Sequence, residues 1–448
     1  RDGLSPLEPE PANAPLPAAA LANAAPANRQ WRSLSRAGVV VAAAMAIGNG
    51  LNYVYQVVMS RMLGPASFGA LGALLAMSFI VSVPGVALQT VVARHTALRT
   101  RDGRPVDDLW SSVLRTVLLV GVALGALVVA ASPALVRFLH LGSPAPALWL
   151  GVAVVPLPAL PAILGMLQGR ERFNELAGTL LAGAAAKLSL GALLVFLGFG
   201  VSGALAGAAV GATLGGLLGV WLARRDLSGA HLRAPVPRDL KREFGAVWVA
   251  LLGLFLVVNL DIILARHFLP PRVSGLYAVG AVVAKVAYWA PRFVIVVVFP
   301  RLAMDIDRRR LLIRAAAVEL VCSVAVVGLV ALSSDQLVRR VFGQTYMDLG
   351  PALWIFAGIG TTFALVHLLL FSGIAVGDRR FARALYAVAV VKSLLIFSVF
   401  HDSIVQVASV VLVAAFTLLG IGIFLEVVRG RSATEGVPVS DEVGLDAG

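Results

Sequence analysis

Apolar residues come along this chain in runs of about twenty, separated by short polar stretches. Wound as α-helix, a run of that length matches the ~30 Å hydrocarbon core of a bilayer. Twelve such runs can be traced, at 37–60, 67–92, 111–132, 146–168, 175–198, 201–223, 244–265, 274–299, 312–333, 348–372, 383–400 and 404–428. The stretch 335–346 reads as an interfacial helix or loop. The pattern predicts an all-α membrane protein with about twelve transmembrane helices.

The runs are used twice. "SRMLGPASFGALGA", Ser60 to Ala73, lies over "ARHFLPPRVSGLYAVG", Ala265 to Gly280, with Leu63 on Leu269, Pro65 on Pro271, Gly69 on Gly275 and Leu71 on Tyr277. The offset is 206. "GRERF" at Gly169 and "GDRRF" at Gly377 match at 208, and Pro84 and Pro291 at 207. A unit of six helices returns to the side where it began, so the halves are expected to be parallel repeats about an axis along the membrane normal. The expected division is a disordered Pro/Ala-rich tail over 1–36, a first lobe over 37–223, a basic linker over 224–243, a second lobe over 244–428 and a disordered tail over 429–448.

Composition agrees: 59% of the residues are hydrophobic, 14% are charged, and the mean hydropathy is +0.89. The net charge of +13 would suggest nucleic acid in a soluble chain. Here 26 of the 37 Lys and Arg fall in the two tails and every second connection, six in the opposite connections and five inside helices. By the positive-inside rule both termini are cytoplasmic, and no nucleic-acid partner is needed. The single cysteine, Cys322, excludes a disulfide framework and a multi-cysteine metal site.

Ionisable side chains at membrane depth are costly and point to function. Lys187 lies about 17 Å into the fifth helix and Lys392 about 12 Å into the eleventh, the corresponding helix of the repeat. Lys285 and Arg292 are seven apart on the eighth, with Trp289 between them on one face. These cations outnumber the acids at comparable depth, so a cavity that wants an anion is expected, with snorkelling to the interface as the competing reading; Tyr288 and Trp289 are placed either to stack on a sugar or to pack in the core. Asn49 and Asn52 make the first helix polar enough to face that cavity, although interhelical hydrogen bonds are the competing use. Asp261 and Glu319 are the intramembrane acids, candidates to bind a coupling proton or sodium ion or to pair with a cation. Gly203, Gly207, Gly211, Gly215 and Gly219 form a small-residue stripe for close packing. Pro156, Pro158 and Pro161 should bend or break the fourth helix, and His367 reads as a core residue. No Walker A sequence, HExxH or nucleophile–His–acid set is present. No enzyme, resident cofactor or metal site is expected.

"SRMLGPASFGALGALLA", "NLDIILARHFLPPRVSGLYAVGAVVAK" followed by "FPRLA", and "FGQTYMDLGPALWIFA" resemble the polysaccharide (Wzx-type) flippases of the multidrug/oligosaccharidyl-lipid/polysaccharide exporter superfamily. The resemblance covers roughly residues 37–428. It implies a V-shaped bundle of two six-helix lobes and alternating access in a bacterial cytoplasmic membrane. It also implies a cationic central cavity for a polyprenyl-diphosphate-linked oligosaccharide, with Lys187, Lys285, Arg292 and Lys392 as its cations. Coupling to H+ or Na+, and glycosyltransferase or polymerase partners of the same pathway, follow from the same likeness. The alternatives are a cation-coupled drug exporter of the same fold and a membrane enzyme or scaffold of polysaccharide synthesis.

Overall fold

The computed structural model describes residues 18–224, 237–289, 308–375 and 378–435, and all regular structure among them is helical. In chain order the helices are α1 (Ala18–Arg101), α2 (Asp107–Ala130), α3 (Ser132–Phe138), α4 (Ala145–Val154), α5 (Ala159–Gly169), α6 (Phe173–Leu194) and α7 (Gly200–Ala223) in the first half. The second half holds α8 (Arg238–Phe268), α9 (Pro271–Trp289), α10 (Arg308–Leu337), α11 (Leu353–Ala375), α12 (Arg380–Ser398) and α13 (Ile404–Glu435). Nine helical stretches among the described residues are long and apolar enough to cross a membrane. This is a multi-pass membrane protein.

Two of those stretches, of 59 and 51 residues, are too long to cross once. The first, in α1, breaks at Gly64, whose φ of 70° and ψ of 172° suit glycine. Pro65 follows and has no N–H to continue the helical ladder. The arms on either side of Gly64 are the expected first and second spans. In the second half the matching break separates α8 from α9 at Leu269 and Pro270. The 51-residue stretch turns between α6 and α7, where Gly198 and Gly200 both take positive φ. The proline-rich fourth span is broken as expected, into α4 and α5. The eighth span is described only to Trp289, so Pro291, Arg292 and the expected total of twelve extend beyond the described residues.

The tails and linker differ in extent from expectation. Residues 1–17, 225–236 and 436–448 lie outside the described residues. Helix nevertheless begins at Ala18, inside the tail expected to be disordered. Seven of the ten residues from Ala18 to Ala27 are alanine, the best helix former, which outweighs Pro26. At the other end α13 continues to Glu435, past the boundary expected at 429.

The repeated motif packs against its own copy. A Cβ added at Gly69 would stand 2.5 Å from Ser274 Oγ and 2.8 Å from Gly275 N. One at Gly275 would collide with the Pro65 carbonyl, and one at Gly72 would come 2.8 Å from the Ala278 Cβ. Residues that match across the repeat, 69 with 275 and 72 with 278, therefore meet at one crossing. Around it a shared core collects Tyr55, Phe68, Leu71 and Leu74 of the first half with Tyr277, Val279, Tyr346 and Phe356 of the second.

The loop repeat ties equivalent elements by different chemistry. In "GRERF", Arg172 donates to Glu175 Oε1 at 3.1 Å and to the Leu222 carbonyl at 2.9 Å. In "GDRRF", Asp378 accepts from the Arg380 amide at 2.8 Å and from Arg429 Nη2 at 2.8 Å. Leu222 and Arg429 stand 207 apart, at corresponding ends of α7 and α13. Burial pushes the Asp378 carboxyl up, but the Arg380 amide and the Arg429 guanidinium outweigh it and hold the group below the usual carboxylate range.

The glycine crossing generates a stability prediction. Gly275→Val should lower stability by about 1–3 kcal/mol or more, the cost of overpacking. Gly50→Ala, where a Cβ meets nothing within 4 Å, should be neutral. Thermal unfolding in detergent reads both, and equal melting of the two variants would contradict the packing described here.

Candidate functional site

Lys187 is set in place by main chain. The glycine stripe of α7 lies on α6, and a Cβ at Gly211 would come within 2.6–2.7 Å of the Lys187 N, Cα and Cβ. That approach leaves the Lys187 side chain to project away from α7 toward α1. Its Nζ donates to Asn52 Oδ1 at 3.0 Å and lies 4.4 Å from the centre of the Tyr55 ring. The Tyr55 ring is itself fixed, since its hydroxyl donates to the Ala204 carbonyl at 2.8 Å. Among the described residues no carboxylate lies within ion-pair distance of Lys187.

Lys285 of α9 reaches toward the same region from the second half. Its Nζ lies 4.6 Å from the centre of the Phe79 ring on the second arm of α1. Tyr53 donates to the Lys285 carbonyl at 3.2 Å, so first-half side chains hold both ends of this residue. Lys285 lines a pocket with Asp261, Tyr277 and Tyr288, walled by Phe356 and Phe363 of α11. Tyr53, which holds the Lys285 carbonyl, is the chain neighbour of Asn52, the acceptor of Lys187, so both lysines meet the same turn of α1.

Lys392, expected as an unpaired cavity cation, is an internal ion pair instead. It is 1% exposed, and its Nζ donates to Asp261 Oδ1 at 2.9 Å and to the Val257 carbonyl at 2.6 Å. Tyr277 donates to the other Asp261 oxygen at 2.7 Å. The pairing is possible because α8 runs on to Phe268, which puts Asp261 about 10 Å from the helix end. Lys392 and Lys187 are repeat equivalents at offset 205, and Asp261 and Tyr55 at 206. One joint is thus built twice, with a neutral ring and amide in the first half and a carboxylate in the second.

The remaining expected residues scatter. Arg292 lies outside the described residues. Asn49 is half-buried on α1, and Trp289 meets the edge of the Tyr288 ring at 5.4 Å. The Tyr288 hydroxyl shares a 3.1 Å hydrogen bond with His367 Nδ1, so His367 is buried and also supports the pocket wall. Glu319 is fully buried on α10, and among the described residues neither of its carboxyl oxygens has a hydrogen-bond partner.

A second feature, invisible in the sequence reading, closes the Gly64 end of the molecule. Arg266, 6% exposed, donates to the Leu139 carbonyl at 2.9 Å, the Ala66 and His140 carbonyls at 3.2 Å each, and Ser274 Oγ at 3.1 Å. His267 stacks on Phe138 at 4.1 Å and bonds its carbonyl. His140 has a positive φ of 48°, and the neighbouring bonds hold that strained backbone in place. In the opposite sense Arg61 donates to the Val341 and Arg340 carbonyls, while Tyr346, like Arg266, donates from the second half to the first, to the Ser60 carbonyl at 2.8 Å. Ser60 and Arg61 are the 206-offset equivalents of Arg266 and His267. Each half therefore reaches across to main-chain acceptors of the other.

Residues 35–305 match the model of a family described as polysaccharide biosynthesis protein. Solved structures with the same fold include the inward-facing form of a multidrug resistance MATE family transporter of the MOP superfamily. It is 15% identical, covers 89% of this chain and 99% of that one, and has a TM-score of 0.71. The outward-facing form of a multidrug resistance MATE family transporter is 15% identical over 90% and 97%, at 0.58. The lipid II flippase MurJ in an inward closed conformation is 13% identical over 86% and 87%, at 0.69. At these identities the likeness is one of fold. No curated protein matches the chain.

Two outcomes follow from the geometry. Lys392→Met strands the Asp261 carboxylate and should cost about 3–5 kcal/mol, whereas the double variant with Asp261→Asn should regain most of it. Thermal unfolding compares the two, and a single variant as stable as the parent would show that the pair does not support the fold. Arg266→Ala should loosen the seal. A Leu71→Cys reporter in a Cys322→Ser background, buried in the parent, should then label with a hydrophilic thiol reagent. Equal protection in both would remove Arg266 from the seal.

Proposed function

Because the chain belongs to the polysaccharide biosynthesis protein family and folds like membrane transporters of the MOP superfamily, we propose that it flips a polyprenyl-diphosphate-linked oligosaccharide across the bacterial cytoplasmic membrane. The observation that carries this reading is the approach of Lys187 and Lys285 from opposite halves. Lys187 has only neutral partners among the described residues, and Lys285 is held by Tyr53, the chain neighbour of the Asn52 that Lys187 bonds. Such a pair favours a ligand with at least two negative charges, and a diphosphate is one. Ammonium–phosphate hydrogen bonds are charge-assisted, and the low dielectric of the bundle strengthens them. The same field repels cationic drugs. Tyr288, beside Lys285 and braced by His367, offers a ring face to a sugar.

Transport of so polar a head group needs alternating access. The seal at the Gly64 end, and the higher TM-score with the inward-facing form than with the outward-facing one, support a state closed at that end. The excess of Lys and Arg in the two tails and every second connection supports a cytoplasmic location for the opposite end. Cargo would then enter from the side where it is made, and breaking the Arg266 and Arg61 bonds would release it outside. Asp261 serves here as the counter-ion of Lys392, and the tethered ammonium takes the place a free cation would need. Glycosyltransferases and a polymerase of the same pathway remain the expected partners.

Flipping of a labelled polyprenyl-diphosphate sugar in proteoliposomes tests the site. Lys187→Ala with Lys285→Ala should reduce the rate at least about tenfold, equivalent to ~1.4 kcal/mol. Lys→Arg at both positions should retain most activity. A double-alanine variant that flips at the parent rate sinks the two-lysine site.

A further inference from the structure

One buried acid plays no part in the site just described. The packed face of α10 consists of Leu312, Ala315, Glu319, Ser323 and Val330, all buried, while Val321 and Val324 on the other side are exposed. Glu319 and Ser323 are one turn apart on the same face. Both Glu319 carboxyl oxygens and the Ser323 hydroxyl are buried without a hydrogen-bond partner among the described residues. Glu319 lies about 16 Å along α10 from Arg308, at mid-membrane depth.

The charged and titratable groups around it are otherwise engaged or point elsewhere. On α10, Arg310 and Arg314 are exposed, and Asp335 lies four turns further along. On α11, the helix packed against α10, the titratable residue is His367, which bonds Tyr288. On the segments that follow α10, Arg339 and Arg340 are exposed, Tyr346 bonds the Ser60 carbonyl and Asp348 pairs with Arg272. None of them bonds Glu319.

An unpaired carboxylate buried in this way costs several kcal/mol, so burial favours the neutral, protonated form in this conformation. The alternative occupant, a hard metal cation, needs a shell of several oxygens. The described residues supply one carboxyl and one hydroxyl, and no cluster of three His, Cys, Asp or Glu. α11 stands between Glu319 and the Lys285 pocket, since its Phe356, Ile359, Gly360 and Phe363 line that pocket. We propose that Glu319 is the proton-binding site that couples this transporter to a proton gradient. The proton is taken from water on one side when the α10–α11 interface is hydrated. It is held on the carboxyl while that interface is dry, and returned to water on the other side after the halves rearrange. The coupling role rests on the transport reading; proton occupancy does not.

Two measurements on the full chain test this. Infrared spectroscopy of the protein in lipid should show the carbonyl stretch of a protonated carboxyl at neutral pH. That band should disappear in Glu319→Gln, or in Glu319→Met should the glutamine variant fail to insert. A band unchanged in the variants overturns the proposal. In proteoliposomes, a gradient of about one pH unit should shift the flipped-to-unflipped ratio of the labelled lipid by up to about tenfold per proton in the parent, and not at all in Glu319→Gln. A variant that flips with the parent's gradient response overturns the coupling role even if the band is lost. A parent that flips nothing overturns the transport reading and the coupling with it, and the infrared band alone then decides whether Glu319 holds the proton.

Discussion

At Gly69 and Gly275 the two halves approach so closely that no side chain fits between their backbones. Several other inter-half bonds lie within a few residues of this contact. Lipid offers no hydrophobic force between helices, so close backbone packing is a main source of cohesion in a bilayer. The crossing sets the distance at which Arg266 and Arg61 can reach carbonyls of the opposite half. The same approach brings Phe79 and Tyr53 up to Lys285 from the first half. The seal and the cationic site are thus two levels of one contact.

Charge is distributed unevenly over a framework that is nearly even. The Lys187 joint is completed by an amide and a ring, and its copy by a carboxylate. Neutralising one lysine stabilises the second half, while the other lysine keeps a positive charge at depth. An uncompensated ammonium there is tolerable because the Tyr55 ring and the Asn52 oxygen replace part of its hydration.

Much of this was legible in the sequence, and the limits have physical causes. Hydropathy located the spans because bilayer thickness fixes their length, and Pro65 and Pro271 marked the breaks because proline cannot propagate a helical ladder. The glycine stripe of α7 announced close packing, although not that Lys187 would lie against it. The Asp261–Lys392 pair was missed because its members are 131 residues apart and α8 runs three residues past the span expected to end at 265. That extension carries Asp261 further from the helix end. The seal was missed because its acceptors are main-chain carbonyls, which every residue type supplies. Glu319 was visible as a deep acid, but its lack of partners is a property of the packing alone.

A motif that packs on its own copy makes the contact that a two-fold homodimer makes. In such a dimer any substitution is imposed on both subunits. An aspartate at the position of Asp261 would then appear in each, both lysines would be neutralised and the charge between the subunits would vanish. Joining the two copies in one polypeptide lifts that constraint. The carboxylate is installed once, one lysine is paired within the scaffold, and its twin is left without a carboxylate partner among the described residues. Covalent linkage here is the condition under which a symmetric framework can carry an asymmetric charge.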